Sequence, residues 1–289
     1  MSELQTAEPI RGDFRWRSNL IKALIVLAAV VFWQGIIKRP TPRAFGTSLH
    51  VVDSPVPPPS GSILRVATFN INGGVSPEDD ILDLSRTAKY LRGYDFVGLQ
   101  EVHGAQIFDW RNQAKILGQT LHMAWLFAPS ETRWWHDSFG NGVLSDLKVT
   151  SWQRLPLSTS ISESNRSMLR VTADWQGHSI NVLISHLDRH ADHDRELGAL
   201  IASFDDTPSP AILMGDLNID ADPSDTQLDT LRQEAGVVDC LRQAMGKNLP
   251  PSNDWIFCRG LKCVSAGLAD DDASDHKVAW AELSEPPAQ

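Results

Sequence analysis

Between residues 63 and 283 the chain alternates short runs rich in β-branched and aromatic residues with longer amphipathic stretches. Runs of the first kind predict strands, and apolar residues at helical spacing predict helices. The predicted strands are 63–71, 95–99, 143–144, 149–155, 168–175, 179–184, 211–214, 255–258 and 278–281, and the predicted helices are 78–91, 106–117, 192–204 and 224–234. Many strands separated by fewer helices indicate a layered α/β structure whose sheets pack face to face.

Small polar and acidic residues stand where these predicted strands begin or end: Asn70 and Asn72, Gln100 and Glu101, His186 and Asp188, Asp216 and Asn218, and Asp275 and His276. Side chains from several strand ends can meet at one rim of a sheet sandwich, where a rigid scaffold usually places a site. Hard oxygen ligands combined with imidazoles suit Mg²⁺ or Mn²⁺ in phosphoester hydrolysis, and do not suit a thiolate or zinc cage.

Seven motifs occur in an order that resembles the endonuclease/exonuclease/phosphatase superfamily. They are Thr68-Phe-Asn-Ile-Asn72, Gln100-Glu101, Gly140-Asn-Gly-Val-Leu-Ser145, Ser185-His-Leu-Asp188, Gly215-Asp-Leu-Asn218, Asn253-Asp-Trp-Ile-Phe257 and Ser274-Asp-His276. Each motif alone is weak, but the ordered series is specific. The resemblance implies an α/β (α+β) fold like that of deoxyribonuclease I, a four-layer sandwich of two packed mixed β-sheets flanked by helices. It also implies a metal-dependent hydrolase that cleaves phosphoester bonds.

The resemblance implies a metal site for Mg²⁺ or Mn²⁺. Glu101 corresponds to the principal metal ligand, with Asn70 close to it and Asp275 as a second carboxylate at the metal or the water. Asp216 matches the residue that orients the attacking water, and Asn218 matches its neighbour that holds a phosphate oxygen or the leaving group. A carboxylate at a strand end can hold Mg²⁺ while waters and a substrate oxygen fill its other positions.

His276 corresponds to the family histidine that is paired with an acid, and the matching acid is Asp254. Such a pair fixes the tautomer of the imidazole and raises its basicity. His186 matches the histidine that contacts the phosphate or protonates the leaving group. Arg166 and Asn141 are the candidate contacts to substrate phosphate, because guanidinium geometry suits phosphate oxygens; for Arg166 an ordinary surface arginine is the competing interpretation.

Three further groups have simpler interpretations. Asp192 to Asp194 fit the start of a helix, where acidic side chains favour the dipole, and Asp220 and Asp222 fit a turn before Pro223. Trp134-Trp135-His136 is expected to pack as a loop, with contact to a lipid or sugar as the alternative.

An apolar run from Leu20 to Ile37 predicts a single-pass membrane anchor, with a cleaved signal peptide as the alternative. The excess of basic residues before the run favours a cytoplasmic segment 1–19 and a catalytic domain outside the cytoplasm. The Pro-rich stretch 38–61 predicts an extended linker, and the catalytic domain is expected to occupy 62–289.

The net charge of −10 disfavours a protein that grips a long polyanion along a basic face. The expected partners are a phosphoester substrate, either a lipid head group or nucleic acid, and the membrane; no protein partner is predicted. A catalytically inactive, anchored scaffold of the same fold is the alternative function. Cys258 and Cys263 flank a predicted hairpin tip, which leaves a disulfide and two free thiols equally open.

Overall fold

The computed structural model describes residues 12–52, 61–105, 111–133, 138–157, 165–220 and 226–285. The predicted loop at Trp134 to His136 and the turn residue Asp222 lie outside these ranges. The helices are α1 (Gly12–Ile36), α2 (Leu84–Tyr90), α3 (Gln113–Leu121), α4 (His193–Asp205), α5 (Asp229–Gln233) and α6 (Cys240–Met245). Short 3-10 turns cover Asn72–Gly74 and Gly246–Asn248.

The described residues form two mixed sheets of seven strands each. The first sheet has the order β1 (Arg39–Pro40), β5 (Ala124–Thr132), β6 (Phe139–Ser145), β4 (Phe96–His103), β3 (Ile63–Asn70), β14 (Val278–Ser284) and β13 (Lys262–Ala269). The second has the order β11 (Val237–Asp239), β12 (Asp254–Arg259), β10 (Ala211–Asp216), β9 (His178–His186), β8 (Ser167–Trp175), β7 (Lys148–Pro156) and β2 (Ala44–Gly46). In each sheet one central pair is parallel, β3 with β4 and β9 with β10.

Three apolar clusters hold four layers together. One lies between the sheets and includes Val66, Ile184 and Ile256. The second packs α4 and α5 on the outer face of the second sheet, and the third packs α2 and α3 on the outer face of the first. Burial of apolar area in these clusters is the main driving force for the layering. The predicted four-layer sandwich of two mixed sheets is therefore confirmed.

The helix predicted at 78–91 is wrong in its first turns, because α2 begins only at Leu84. Asp83 caps it by accepting from the backbone N–H groups of residues 85 and 86. Before the cap, Val75 and Leu82 form a short antiparallel bridge, and Asp80 has a φ of +55° that a helix excludes. Ile81 is 55% exposed, so its helical spacing does not reflect packing against the sheet.

Residues 39–50 depart from the predicted linker. β1 pairs with β5, β2 pairs with β7, and His50 bridges to Trp125, so the segment extends the edges of both sheets. Thr41 Oγ1 donates to the carbonyl oxygen of Pro129 at 2.5 Å. Prolines are tolerated here because an edge strand needs hydrogen bonds on one side only.

The predicted hairpin tip between Cys258 and Cys263 is also wrong, because the connection leads from β12 in one sheet to β13 in the other. Cys240, Cys258 and Cys263 are buried free thiols. The sulfur atoms of Cys258 and Cys240 lie 3.7 Å apart.

The N-terminal helix α1 contains the predicted membrane segment. Its part from Trp16 to Ile36 is long and apolar enough to span a bilayer, and only 6% of its most apolar window is buried in the protein. A signal sequence near an N-terminus has the same properties, so both interpretations of the sequence remain open.

Candidate active site

The registers of the second sheet place three predicted site residues in a row. His186 at the end of β9 is the register partner of Asp216 on β10, and Asp216 is the partner of Asp254 on β12. All three are buried, with at most 3% of each residue exposed. Gly215 precedes Asp216 with a φ of +149°, and a side chain there would collide with the backbone of Ser185 on β9. The glycine therefore lets β9 and β10 approach closely where their polar residues begin.

A β-bulge directs Glu101 out of the first sheet. The prediction that strand β4 ends near Gln100 is wrong, since β4 continues to His103, with a register shift against β6 between Leu99 and Val102. Within this irregularity Glu101 has a φ of +57°. Bulges often redirect a side chain next to an active site. The Glu101 side chain is 30% exposed, whereas the neighbouring Gln100 is fully buried and donates from Nε2 to Thr68 Oγ1 at 2.9 Å.

Asn70 joins the two sheets at this rim. Its Nδ2 donates to Glu101 Oε1 at 3.1 Å and to Asp216 Oδ2 at 2.9 Å. Its Oδ1 accepts from the backbone N–H of Asn72 at 3.0 Å. In this orientation Asn70 presents a donor to the two carboxylates, and it would have to turn its amide over to offer a metal its oxygen. Asn70 therefore brings Glu101 and Asp216 together, while its direct ligation of metal stays a prediction.

His276 is paired with Asp254 as the resemblance implied. The Nδ1 atom of His276 lies 2.7 Å from Asp254 Oδ2, which leaves Nε2 3.7 Å from Asp216 Oδ2. Burial lowers the pKa of His276, but the hydrogen bond and charge of Asp254, with the charges of Asp216 and Asp275, outweigh burial and raise it to about 9. This imidazole is therefore a cation at neutral pH in the protein alone, and both of its nitrogen atoms are donors.

His186 has the opposite character. Arg166 Nη1 lies 2.9 Å from His186 Nδ1, and a guanidinium can only donate, so Nδ1 must accept. The proton is then on Nε2, which lies 3.4 Å from Asp216 Oδ2 and 3.9 Å from Glu101 Oε1. Burial, followed by the charges of Arg166 and His276, lowers the pKa of His186 well below its ordinary value. His186 is therefore a neutral donor directed at the two carboxylates.

Asn218 stabilises the loop after β10. It has a φ of +50°, which asparagine tolerates better than most residues. Its backbone N–H donates to Asp216 Oδ1 at 2.9 Å, and its Nδ2 donates to the carbonyl of Leu187 at 2.8 Å. Arg189 Nε donates to Asn218 Oδ1 at 3.2 Å. Asn218 thus orients Asp216 and ties its loop to that of His186.

The remaining predicted residues lie farther from the centre. Asp275 is exposed, and it borders a polar cavity of about 320 Å³ together with Asp254, His276 and Arg189. Asn141 is buried and donates from Nδ2 to the carbonyl of Ser167 at 2.8 Å, which connects the sheets one residue away from Arg166. Contact of Asn141 and Arg166 with substrate phosphate stays a prediction.

Sequence reasoning missed three residues that support the site. Ser274 Oγ donates to the carbonyl oxygen of Asn70 at 2.7 Å; the motif Ser-Asp-His contained this signal. Glu196 on α4 accepts from the backbone N–H of Asp188 at 2.6 Å, and burial raises its pKa to about 7. Gln113 on α3 accepts from the N–H of His103 at 2.8 Å and donates to the carbonyl of Gly73. No sequence pattern marks Glu196 or Gln113, because each acts on a backbone group at least eight residues away along the chain.

The donor set fits a hard divalent cation. Within the residues that the structure describes, no three His, Cys, Asp or Glu side chains are grouped to hold a metal by themselves. Mg²⁺, however, is often bound through one or two carboxylates, with waters and substrate phosphate completing its coordination. The partly exposed Glu101, with Asp216 held beside it by Asn70, suits that mode.

Comparisons with known proteins agree with this geometry. The sequence profile described as the Endonuclease/Exonuclease/phosphatase family matches residues 67–276. One similar solved structure is an endonuclease/exonuclease/phosphatase from Beutenbergia cavernae, with 23% identity over 77% of this chain and 72% of that one and a TM-score of 0.64. A second is an endonuclease/exonuclease/phosphatase family protein from Leptotrichia buccalis, with 18% identity over 76% of this chain and 99% of that one and a TM-score of 0.62. A third is D. rerio TDP2 complexed with a single-strand DNA product, with 18% identity over 78% of this chain and 100% of that one and a TM-score of 0.57. At these identities the structures show the shared fold. No curated protein matches the chain.

Proposed function

The chain belongs to the Endonuclease/Exonuclease/phosphatase family, and from that premise we propose that it is a divalent-metal-dependent phosphodiesterase that uses water as the nucleophile. The observation that carries the proposal is the meeting of both sheets at one rim. There Asn70 holds Glu101 and Asp216 together, and two histidines in different protonation states face Asp216. Such a set can bind a cation, orient water and donate protons to a phosphate.

Glu101 would hold Mg²⁺ or Mn²⁺, with Asp216 beside it and Asp275 at the rim. When bound, the cation would offset negative charge on a phosphate oxygen and favour deprotonation of a nearby water. Asn70 keeps the two carboxylates close in spite of their mutual repulsion, since its Nδ2 donates to both. This arrangement preorganises the oxygens before a cation arrives.

We assign water activation to Asp216. Its Oδ1 is fixed by the N–H of Asn218, and its Oδ2 faces the histidines, so the carboxylate is positioned to orient a water and accept its proton. As the water oxygen bonds to phosphorus, the bond to the leaving oxygen breaks. His276, held as a cation by Asp254, and His186, a neutral donor, can then stabilise the phosphate oxygens or protonate the leaving oxygen.

The proposed substrate is a phosphodiester smaller than a long duplex. The net charge of −10 and the acidic rim favour a lipid head group or a short ester over extended nucleic acid. The bound DNA product belongs to D. rerio TDP2, and it keeps nucleic acid as the second substrate class to test. A membrane location through α1, with the catalytic domain outside the cytoplasm, is part of the proposal and would place the site near lipid phosphodiesters.

The test is hydrolysis of bis(p-nitrophenyl) phosphate, sphingomyelin, phosphoinositides and plasmid DNA by the full chain with and without Mn²⁺. We expect metal-dependent release of product in wild type and a loss of at least about 100-fold in Glu101→Gln, since a ligand to the metal is removed. Glu282→Gln is the matched control, because Glu282 is a carboxylate of the first sheet whose salt bridge to Arg65 lies at the surface.

Thermal unfolding with and without Mn²⁺ separates this function from an inactive scaffold. A functional site should give a metal-dependent rise in Tm that weakens in Glu101→Gln and persists in Glu282→Gln. Equal rises in all three proteins, together with no hydrolysis of any phosphoester, would refute the proposed function.

A further inference from the structure

A second cavity lies beside the catalytic rim, between the start of α2, the start of α3 and the end of β4. Its volume is about 360 Å³, at the small end of the range for small-molecule sites. Its wall combines four apolar side chains, Val75, Leu82, Leu84 and Ile116, with the polar side chains of Asn72, Asp83, Ser85, His103, Arg111 and Gln113. None of the ten residues with a predicted role in catalysis, metal binding or phosphate binding lines it.

The cavity approaches the catalytic rim along two segments of the chain. Asn72 lines the cavity and is two residues from Asn70, to whose Oδ1 it donates its N–H at 3.0 Å. His103 lines it as well and is two residues from Glu101. A Cβ on Gly73 would lie 3.0 Å from His103 Nε2, which shows how closely the ring of His103 covers the turn. An alkyl group esterified to a phosphate at Glu101 therefore needs to extend only past Asn72 and His103 to reach this cavity.

The apolar mouth of the cavity is held in a fixed shape. Leu82 is 50% exposed there, although a leucine gains free energy from burial. Its position is set by the bridge to Val75, by the N–H of Ser76 donating to Ile81 O at 3.2 Å, and by the N–H of Asp83 donating to Gly74 O at 2.9 Å. A rigid, exposed apolar rim next to a hydrolytic site suits an apolar part of the substrate.

The cavity on the other side of the rim has a different chemistry. Apart from Pro251 its lining residues are polar or charged, among them Asp254, His276, Asp275 and Arg189. An apolar group gains little there, because it would displace water from charged side chains. The first cavity therefore has the larger apolar share of wall, and the two cavities suit ester groups of different polarity.

We propose that the cavity lined by Val75, Leu82, Leu84 and Ile116 is a specificity subsite for an alkyl group esterified to the scissile phosphate. The inference rests on the proposed function and adds to it the kind of ester that the protein prefers. The volume has room for roughly a dozen water-sized groups, so chains of several carbons can enter it. Each methylene buried there should raise kcat/KM by about threefold to fourfold until the cavity is filled.

The experiment measures kcat/KM of the full chain in lipid nanodiscs, with Mn²⁺, for methyl, butyl and hexyl p-nitrophenyl phosphate. Ser85→Trp places a large side chain at the cavity from an exposed position of α2, and Leu82→Ser removes the apolar mouth. Ile81→Ser is the matched control, since Ile81 is an equally exposed neighbour that does not line the cavity. We expect the increase with chain length to persist in Ile81→Ser, to weaken in Leu82→Ser and to vanish in Ser85→Trp.

Binding of the product alkyl phosphates gives a second measurement that does not need turnover. In calorimetry with Mn²⁺, hexyl phosphate should bind wild type at least about tenfold more tightly than methyl phosphate, and Ser85→Trp should remove the difference. Hydrolysis without any dependence on chain length, or the same dependence in Ser85→Trp, overturns the subsite and leaves the proposed function standing. Failure to hydrolyse any of the esters overturns the proposed function instead.

Discussion

Replacing Arg166 with glutamine tests whether this residue acts through His186 or on the substrate. In wild type, Arg166 Nη1 donates to His186 Nδ1 at 2.9 Å and thereby fixes the proton of that imidazole on Nε2, facing Asp216. Glutamine is shorter and uncharged, so the donor is withdrawn and the imidazole can turn or change tautomer. A histidine with its proton on Nδ1 offers an acceptor to Asp216 and loses the proposed donor role.

The expected loss of activity in Arg166→Gln follows from the strength of the hydrogen bond between Arg166 and His186. A hydrogen bond that involves a charged group contributes about 1.5–3 kcal/mol, which corresponds to about a 10-fold to 150-fold loss in kcat/KM. The loss should appear in kcat more than in KM if the histidine acts mainly in the transition state. The pKa of His186 should also move back toward its ordinary value, because Arg166 is one of the charges that lower it.

A double-mutant cycle with His186→Asn and bis(p-nitrophenyl) phosphate decides between the two roles. If Arg166 acts through His186, the double variant should lose no more activity than His186→Asn alone, because the two residues form one unit. Losses that multiply across the two sites would refute the positioning role and support direct contact of Arg166 with phosphate. Arg170→Gln is the matched control, since Arg170 lies on β8 just after Arg166, is half-buried and donates to Ser203.

Three further predictions concern a carboxylate at the far end of the first sheet, a glutamine on α3 and a glycine on β10. Burial and the charge of Asp95 raise the pKa of Asp146 to about 7. Asp146→Asn should therefore stabilise the fold by about 1–2 kcal/mol at pH 8, after allowance for solvent screening. Urea unfolding at pH 8 and pH 4 measures the gain. Gln113→Ala should raise the Mn²⁺ concentration needed for half-maximal activity by roughly tenfold, since a loss of about 1–3 kcal/mol of hydrogen bonding loosens the turns next to Asn70 and Glu101. Gly215→Ala should destabilise the protein by about 3 kcal/mol or more, because its φ of +149° and the close backbone of β9 leave no room for a Cβ; thermal unfolding measures it.

Each of these predictions has an outcome that contradicts it. The folded state retains a proton on Asp146 up to about pH 7, while the unfolded state releases it near pH 4, so stability falls as the pH rises through this window. An equal gain for Asp146→Asn at pH 4 and pH 8 would contradict this linkage. For Gln113→Ala, an unchanged metal requirement with a lower Tm would show a purely structural role. For Gly215→Ala, a Tm close to that of wild type would mean that β9 can move away.

Much of the site could be predicted because its residues stand at strand ends. Asn70, His186 and Asp216 each end an apolar run, and the periodicity of such runs is readable in a single sequence. These side chains come close to one another because of the topology. Each sheet has one parallel pair of strands, β3 with β4 and β9 with β10, and the carboxyl ends of both pairs lie at the same rim. The pairing of Asp254 with His276 came from the resemblance, because the two residues are 22 positions apart and no local pattern connects them.

What could not be predicted depends on contacts between distant segments. The bulge at Glu101 requires the register of β4 against β6, which a prediction of single strands does not contain. Strand β13 was missed because its small and polar residues give only a weak alternating pattern, and β5 because Pro129 interrupts its apolar run. Both strands are stabilised by their pairing partners. Residues 39–50 look like a linker by composition, and only the exposed edges of the two sheets explain why they pair.

The two histidines explain why one carboxylate is left to act on water. His186 and His276 both direct Nε2 at Asp216, but a guanidinium beside the first keeps it neutral and a carboxylate beside the second keeps it charged. Environments that push the pKa values of neighbouring groups apart are a common way to separate acid and base roles. Both histidines present protons at neutral pH, so neither is placed to accept one from water. Asp216, whose oxygens receive hydrogen bonds from Asn70 and Asn218, is the group between them that can accept it. If the histidines donate protons and Asp216 accepts one from water, Asp216→Asn should remove turnover and leave phosphate binding intact. An amide keeps the shape of the rim but cannot take up the proton of the water.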